Sequence, residues 1–118
     1  MARVIVVDDS PIVRTLVSAT LGEEGHEVLE AEHGQEFLDM CEDDTVDAVL
    51  LDIMMPVKNG IDALKEFRDR GDQTPVVVIT SKTEASLTDM LEGLEVADHL
   101  IKPLTPAGIV KTVESMVG

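Results

Sequence analysis

The sequence predicts a doubly wound α/β domain, a five-stranded parallel sheet with helices on both faces. Three observations carry that prediction. Short aliphatic runs, Val4 to Val7, Ala48 to Leu51 and Val76 to Ile79, are apolar without alternation, as strands buried on both faces are. Between the strands lie stretches whose apolar residues recur at helical spacing. Strands alternating with helices imply parallel pairing through right-handed crossovers that cover both faces. Four of the five strands also end in residues capable of metal or phosphate chemistry: Asp8-Asp9, Asp52, Thr80 and Lys102.

The first strand, Val4-Ile5-Val6-Val7, runs into Asp8-Asp9. Ser10 then caps a helix with Pro11 at its first position, where a missing N–H costs nothing. Ile12, Val13, Leu16, Val17, Thr20 and Leu21 form its buried side, and Gly22 or Gly25 ends it. His26 to Ala31 is a second strand, which Glu27, Glu30 and Glu32 place near a sheet edge. A short helix over Gln35 to Cys41 follows. The third strand, Ala48 to Leu51, delivers Asp52 to an open end ahead of a loop bearing Pro56 and Gly60. The next helix begins near Gly60, carries Ile61, Leu64 and Phe67 at intervals of three, and ends at Arg68, Arg70 and Gly71. Pro75 to Thr80 repeats the design of the first strand. Leu87, Met90, Leu91 and Leu94 mark a fourth helix. His99-Leu100-Ile101 is a brief fifth strand leading to Lys102-Pro103. The fifth helix starts at Thr105-Pro106, with Ile109, Val110, Val113, Met116 and Val117 on its buried side.

The 118 residues read as one domain, 1–118, without linker, repeat or effector domain, so that output must come from its own surface. There is no Trp or Tyr, and Phe37 and Phe67 are the two Phe, so aliphatic and Met side chains fill the core. The net charge of −15 repels nucleic acid and anionic membrane and favours basic partners or cations. Cys41 continues the apolar side of Phe37 and Leu38 and reads as packing rather than as a reactive thiol. His26 and His33 read as surface residues. Without an apolar run approaching ~18 residues or a signal peptide, the expected location is the cytoplasm.

In a doubly wound sheet the carboxyl ends of the strands lie along one edge, so Asp8, Asp9, Asp52, Thr80 and Lys102 converge on one crevice. Three gathered carboxylates repel each other, and a bound cation relieves the repulsion. Oxygen ligands without a Cys/His set favour Mg2+ over zinc. Lys102 supplies a positive charge, and the Thr80 hydroxyl can donate to an anionic oxygen. One carboxylate can then serve as nucleophile toward a phosphoryl group, giving an aspartyl phosphate. Asp52 is the expected nucleophile because it stands alone at the end of a central strand. The adjacent Asp8 and Asp9 suit holding metal and its water.

Asp8-Asp9-Ser10, Asp52-Ile53-Met54-Met55-Pro56 with Gly60, Thr80-Ser81 and Lys102-Pro103 resemble the signature positions of the response-regulator receiver domain of two-component signalling, in its stand-alone form. The resemblance covers essentially the whole chain. It implies strand order 2-1-3-4-5 in a flavodoxin-like (CheY-like) fold, and a switch rather than an enzyme, promoting only its own phosphorylation and dephosphorylation. Asp52 would accept phosphoryl from a phosphohistidine on a sensor histidine kinase or phosphotransfer protein. Asp9 and Asp52 would bind Mg2+ directly, Asp8 through water, and the Met54 carbonyl would complete the protein ligands. Thr80 and Lys102 would contact the phosphoryl group, with Lys102-Pro103 a cis peptide. The fourth helix, fifth strand and fifth helix would carry the change to a downstream protein partner, and the unphosphorylated protein would be a monomer that binds neither nucleic acid nor membrane.

Departures from the family pattern are few. His99 stands where most receivers have Tyr or Phe, a ring that turns inward as the threonine moves, which makes Thr80 and His99 the candidate switch pair. Glu95-Val96 replaces a common Gly-Ala, and Ser81 a small Ala or Gly. Met54 and Lys82 flank the path of the hydrolytic water in this family, and an apolar Met54 there predicts a long-lived aspartyl phosphate. Two rival readings use overlapping parts. A haloacid-dehalogenase-like phosphatase needs Asp-x-Asp-x-Thr at its nucleophile, which neither Asp8-Asp9-Ser10 nor Asp52-Ile53-Met54 supplies. A flavodoxin-like electron carrier needs a hydroxyl-rich phosphate loop after the first strand, where this chain has Asp8-Asp9.

Overall fold

The computed structural model describes residues 2–43, 45–53, 60–81, 94 and 96–117. Its strands are β1 (Arg3–Val7), β2 (Glu27–Ala31), β3 (Ala48–Asp52), β4 (Val76–Thr80) and β5 (Asp98–Ile101). They form one parallel sheet in the order β2-β1-β3-β4-β5, as the resemblance implies. The described helices are α1 (Pro11–Glu23), α2 (Gly34–Asp43), α3 (Gly60–Asp69) and α4 (Pro106–Val117). The helix expected around Leu87, Met90 and Leu91 lies outside the described residues. Leu94, assigned to the same helix, is half-buried against the core. No described helix is long and apolar enough to cross a membrane.

Successive side chains of a strand point to opposite faces, and the core divides accordingly. Val4, Val6, Leu50, Val77 and Ile79 pack with Val17 and Leu21 of α1 and Ile109 and Val113 of α4. Ile5, Val7, Val49, Leu51 and Val76 face the other way, onto Phe37 and Leu38 of α2 and Ala63, Leu64 and Phe67 of α3. The two phenylalanines meet there with ring centroids 5.0 Å apart and planes tilted by 53°. Strands β3 and β4 are buried along their whole length, whereas β2 and β5 at the sheet edges are largely exposed or half-buried. Continuous apolar runs therefore mark the interior strands, and mixed ones the edges.

The helix ends follow local chemistry. Ser10 caps α1, its hydroxyl accepting from the Val13 N–H at 3.3 Å, with Pro11 in the first turn. Thr105 does the same for α4 through the Gly108 N–H at 3.1 Å. Gly25 and Gly71 follow α1 and α3 with positive φ, a conformation that costs glycine little. Two expectations are corrected. Ile12 is 81% exposed, because it lies off the face of α1 that turns Val13, Val17 and Leu21 toward the core. His26 and His33 are half-buried and structural: Nδ1 of His26 accepts the Ala2 N–H at 3.0 Å, and Nδ1 of His33 accepts the Glu36 N–H at 3.2 Å at the start of α2.

Candidate functional site

Asp8 with Asp9, Asp52, Thr80 and Lys102 arrive at the carboxyl edge of the sheet at the ends of four different strands. Asp8 follows β1, where its N–H donates to the Ala31 carbonyl at 3.1 Å. The turn into α1 holds its carboxylate, because Oδ1 accepts the Ser10 N–H at 2.8 Å. Asp52 is the last residue of β3, in register with Ile79, and Thr80 is the last of β4, in register with Ile101. Lys102 follows β5, and its N–H donates to the Thr80 carbonyl at 2.8 Å. The Lys102–Pro103 peptide is cis.

These elements bring the charges into contact. One carboxylate oxygen from each of Asp8, Asp9 and Asp52 lies within 4.8 Å of the other two. Lys102 Nζ sits 3.2 Å from Asp8 Oδ2 and 3.3 Å from Asp52 Oδ2. Asp8, Asp52 and Thr80 are buried, Asp9 is exposed and Lys102 is half-buried, so the cluster opens to solvent on the Asp9 side. Burial pushes the Asp8 pKa above its ordinary value, and the charge of Asp52 adds to that. The Ser10 N–H and Lys102 oppose the shift without cancelling it. For Lys102, partial burial pulls the pKa down, but Asp52 and then Asp8 outweigh it and leave the ammonium above the usual lysine range.

Three carboxylates, two of them buried, against one ammonium leave an excess of negative charge. Asp8 Oδ2 is close enough to Lys102 for an ion pair at 3.2 Å, yet it accepts no hydrogen bond of good geometry. A buried carboxylate oxygen left in that state is costly, and a hard cation satisfies it. The donor set consists of carboxylate oxygens, which suits Mg2+ and does not suit a thiolate- or imidazole-seeking metal.

Other expected residues lie elsewhere. His99 is half-buried in β5 opposite Val78, two register positions from Thr80, with Nδ1 4.0 Å from Asp98 Oδ1. Met54 and Lys82 are outside the described residues. Two neighbours complete the site, Arg14, which the sequence did not mark, and Gly60, which it marked as a signature position without its contact. Arg14 of α1 donates to the Asp8 carbonyl at 2.7 Å. Gly60 packs so closely that a Cβ there would stand 2.3 Å from the Asp52 carbonyl oxygen and 2.5 Å from the Ile53 Cα.

A doubly wound sheet with an acidic cluster, a threonine and a lysine at its carboxyl edge defines the architecture of a CheY-like receiver. Comparison with known proteins gives the same answer, for residues 4–114 match the family model described as "Response regulator receiver domain". The chain belongs to that family, the receiver domains of two-component systems. It is 40% identical over 119 residues to the transcriptional regulatory protein CpxR of Klebsiella pneumoniae, covering 99% of this chain but 50% of that protein. The chain thus spans about half the length of this relative. It is 33% identical to protein PilH of Pseudomonas aeruginosa, covering 99% of this chain and 98% of PilH. Among solved structures, the chemotaxis protein CheY4 of Vibrio cholerae superposes with a TM-score of 0.92 at 31% identity, over 98% of each chain. The response regulator TrrA of Thermotoga maritima, in complex with Mg2+-BeF, does so with a TM-score of 0.84 at 28% identity, over 98% of this chain and 99% of that one. Membership in this family decides against the phosphatase and electron-carrier readings.

Proposed function

We propose that the domain is a phosphorylation switch in which Asp52 accepts a phosphoryl group from the phosphohistidine of a sensor histidine kinase or phosphotransfer protein. The observation that carries the reading is the ammonium of Lys102, held at 3.2 and 3.3 Å from two buried carboxylates at an edge open on the Asp9 side. Asp52 Oδ attacks phosphorus, the P–N bond of the donor breaks, and its electron pair leaves on the imidazole nitrogen. Lys102 and the Thr80 hydroxyl take phosphoryl oxygens as charge spreads over them. Asp8, Asp9 and Asp52 would hold Mg2+, with the Met54 carbonyl the further donor that the family resemblance implies. The cation, when bound, neutralises carboxylate and phosphoryl charge that would otherwise repel. The TrrA complex supports this pairing, because Mg2+-BeF joins the same cation to a small anionic group resembling phosphoryl.

The added phosphoryl charge shifts an existing two-state equilibrium and changes partner binding through the helix expected around Leu87 to Leu91, β5 and α4. Ile101, 46% exposed at the end of β5, belongs to that face, and Thr80 with His99 forms the switch. The proposal includes a domain that is a monomer before phosphorylation and does not turn over free phosphate esters. The test is a phosphotransfer profile against the histidine kinases of the same genome, with MgCl2 or EDTA. Labelling of wild type with Mg2+, and its absence in Asp52→Asn, is the expected result. Label that persists in Asp52→Asn overturns the acceptor.

A further inference from the structure

We propose that Arg14 is a positioning residue for the cation site, fixing the peptide that presents Asp9. The inference rests on the Mg2+ reading above. The Arg14 side chain is 11% exposed, which a charged group tolerates only when its donors are matched. Its Nη1 donates to the Asp8 carbonyl at 2.7 Å, its Nε to Glu30 Oε1 at 3.3 Å, and its Nη2 lies 3.6 Å from Glu32 Oε1. Glu30 is itself anchored, since its Oε2 accepts the Ser18 hydroxyl at 3.1 Å.

The Asp8 carbonyl and the Asp9 N–H belong to one planar peptide unit. A guanidinium gripping that carbonyl therefore orients the start of Asp9. Asp8 is already fixed at its N–H by Ala31 and at its carboxylate by Ser10. Asp9 is exposed, so its place in the cluster depends on the peptide that precedes it. The fork of Arg14 supplies that constraint from behind the site while its charge is spent on Glu30 and Glu32. Groups that hold a metal's ligands in this way typically change affinity by about 10–100-fold when removed.

Arg70 provides an internal control. It too donates to a main-chain carbonyl, that of Leu38 at 3.0 Å, and pairs with a glutamate, Glu42 at 3.4 Å, but it joins α3 to α2 away from the carboxylates. The experiment titrates MgCl2 into wild type, Arg14→Met, Arg14→Lys and Arg70→Met by calorimetry at fixed ionic strength, beside urea unfolding in EDTA. Arg14→Met is expected to weaken Mg2+ about tenfold. Arg14→Lys, which keeps the charge but loses the fork, falls between it and wild type. Arg70→Met loses stability but stays within about twofold of wild type in Mg2+ affinity. Equal affinity of wild type and Arg14→Met overturns the proposal, as does an equal loss in Arg70→Met. If Arg14→Met does not fold, an Arg14→Lys affinity equal to wild type overturns it. Wild type that does not bind Mg2+ overturns the cation reading as well, which separates the two failures.

Discussion

The two ends of the sheet are built from the same strands and treat charge in opposite ways. At the amino end, polar groups meet nearby partners in partly solvated positions. The Ala2 N–H donates to His26, the Arg3 N–H to Asp47 Oδ2 at 2.8 Å, and the Arg3 side chain pairs with Glu27 at 3.2 Å. At the carboxyl end, Asp8 and Asp52 are buried beside Asp9 with Lys102 as the nearby ammonium, and Asp8 Oδ2 accepts no hydrogen bond. One end secures the fold. The other holds unrelieved repulsion that a ligand can relieve, and that asymmetry is what makes it a site.

Changes at the carboxyl end test whether the repulsion is real. The largest effect expected is from Gly60→Ala, which forces a Cβ against the backbone of Asp52 and Ile53 and should cost about 3 kcal/mol in urea unfolding. An unchanged midpoint would show that the contact between α3 and the acceptor strand is loose. Next, MgCl2 at about tenfold its dissociation constant should stabilise wild type by about 1.4 kcal/mol. The same addition should do far less for Asp52→Asn, and equal stabilisation of both would mean the cation binds elsewhere.

Asp8→Asn should stabilise the metal-free protein while abolishing its response to Mg2+, with a gain smaller than the Mg2+ effect. Its sign follows from the raised pKa of Asp8, whose ordinary value is 3.8. The folded state binds that proton more tightly than the unfolded one, so the contribution to stability is full below 3.8 and is lost as pH rises through the folded value. The advantage of Asp8→Asn over wild type should therefore vanish in strong acid, grow above that point and persist at neutral pH. A variant less stable than wild type at neutral pH would break the contrast between the two ends. The smallest effect is expected at the amino end. Asp47→Ala removes the acceptor for the Arg3 N–H and should lose about 0.5–1 kcal/mol, with Mg2+ affinity unchanged.

Much of this was legible in the sequence because burial on both faces leaves an unbroken signature. Val4 to Val7, Ala48 to Leu51 and Val76 to Ile79 announced the interior strands, and Asp8, Asp52, Thr80 and Lys102 stood out as the polar residues that end strands. Helical spacing identified the inward face of α1 but drew it too wide, which is why Ile12 was placed with Val13, Val17 and Leu21. His33 escaped because histidine caps a helix through Nδ1 only when its ring is turned toward the next turn. Arg14 escaped for a different reason: its target is a main-chain carbonyl, and carbonyls are the same at every position. Gly60 was read as lying near a helix start, whereas its close approach to Asp52 is a tertiary fact.

Edge strand β2 has one further consequence. Among the described residues it pairs with β1 alone, and its exposed Glu27 and Glu30 lie along a row of backbone groups that another strand could join. While those glutamates are ionised, a second copy arriving edge to edge is turned away by like charge. Glu30 also grips Arg14, so one side chain serves both the fence around the sheet and the support behind Asp9.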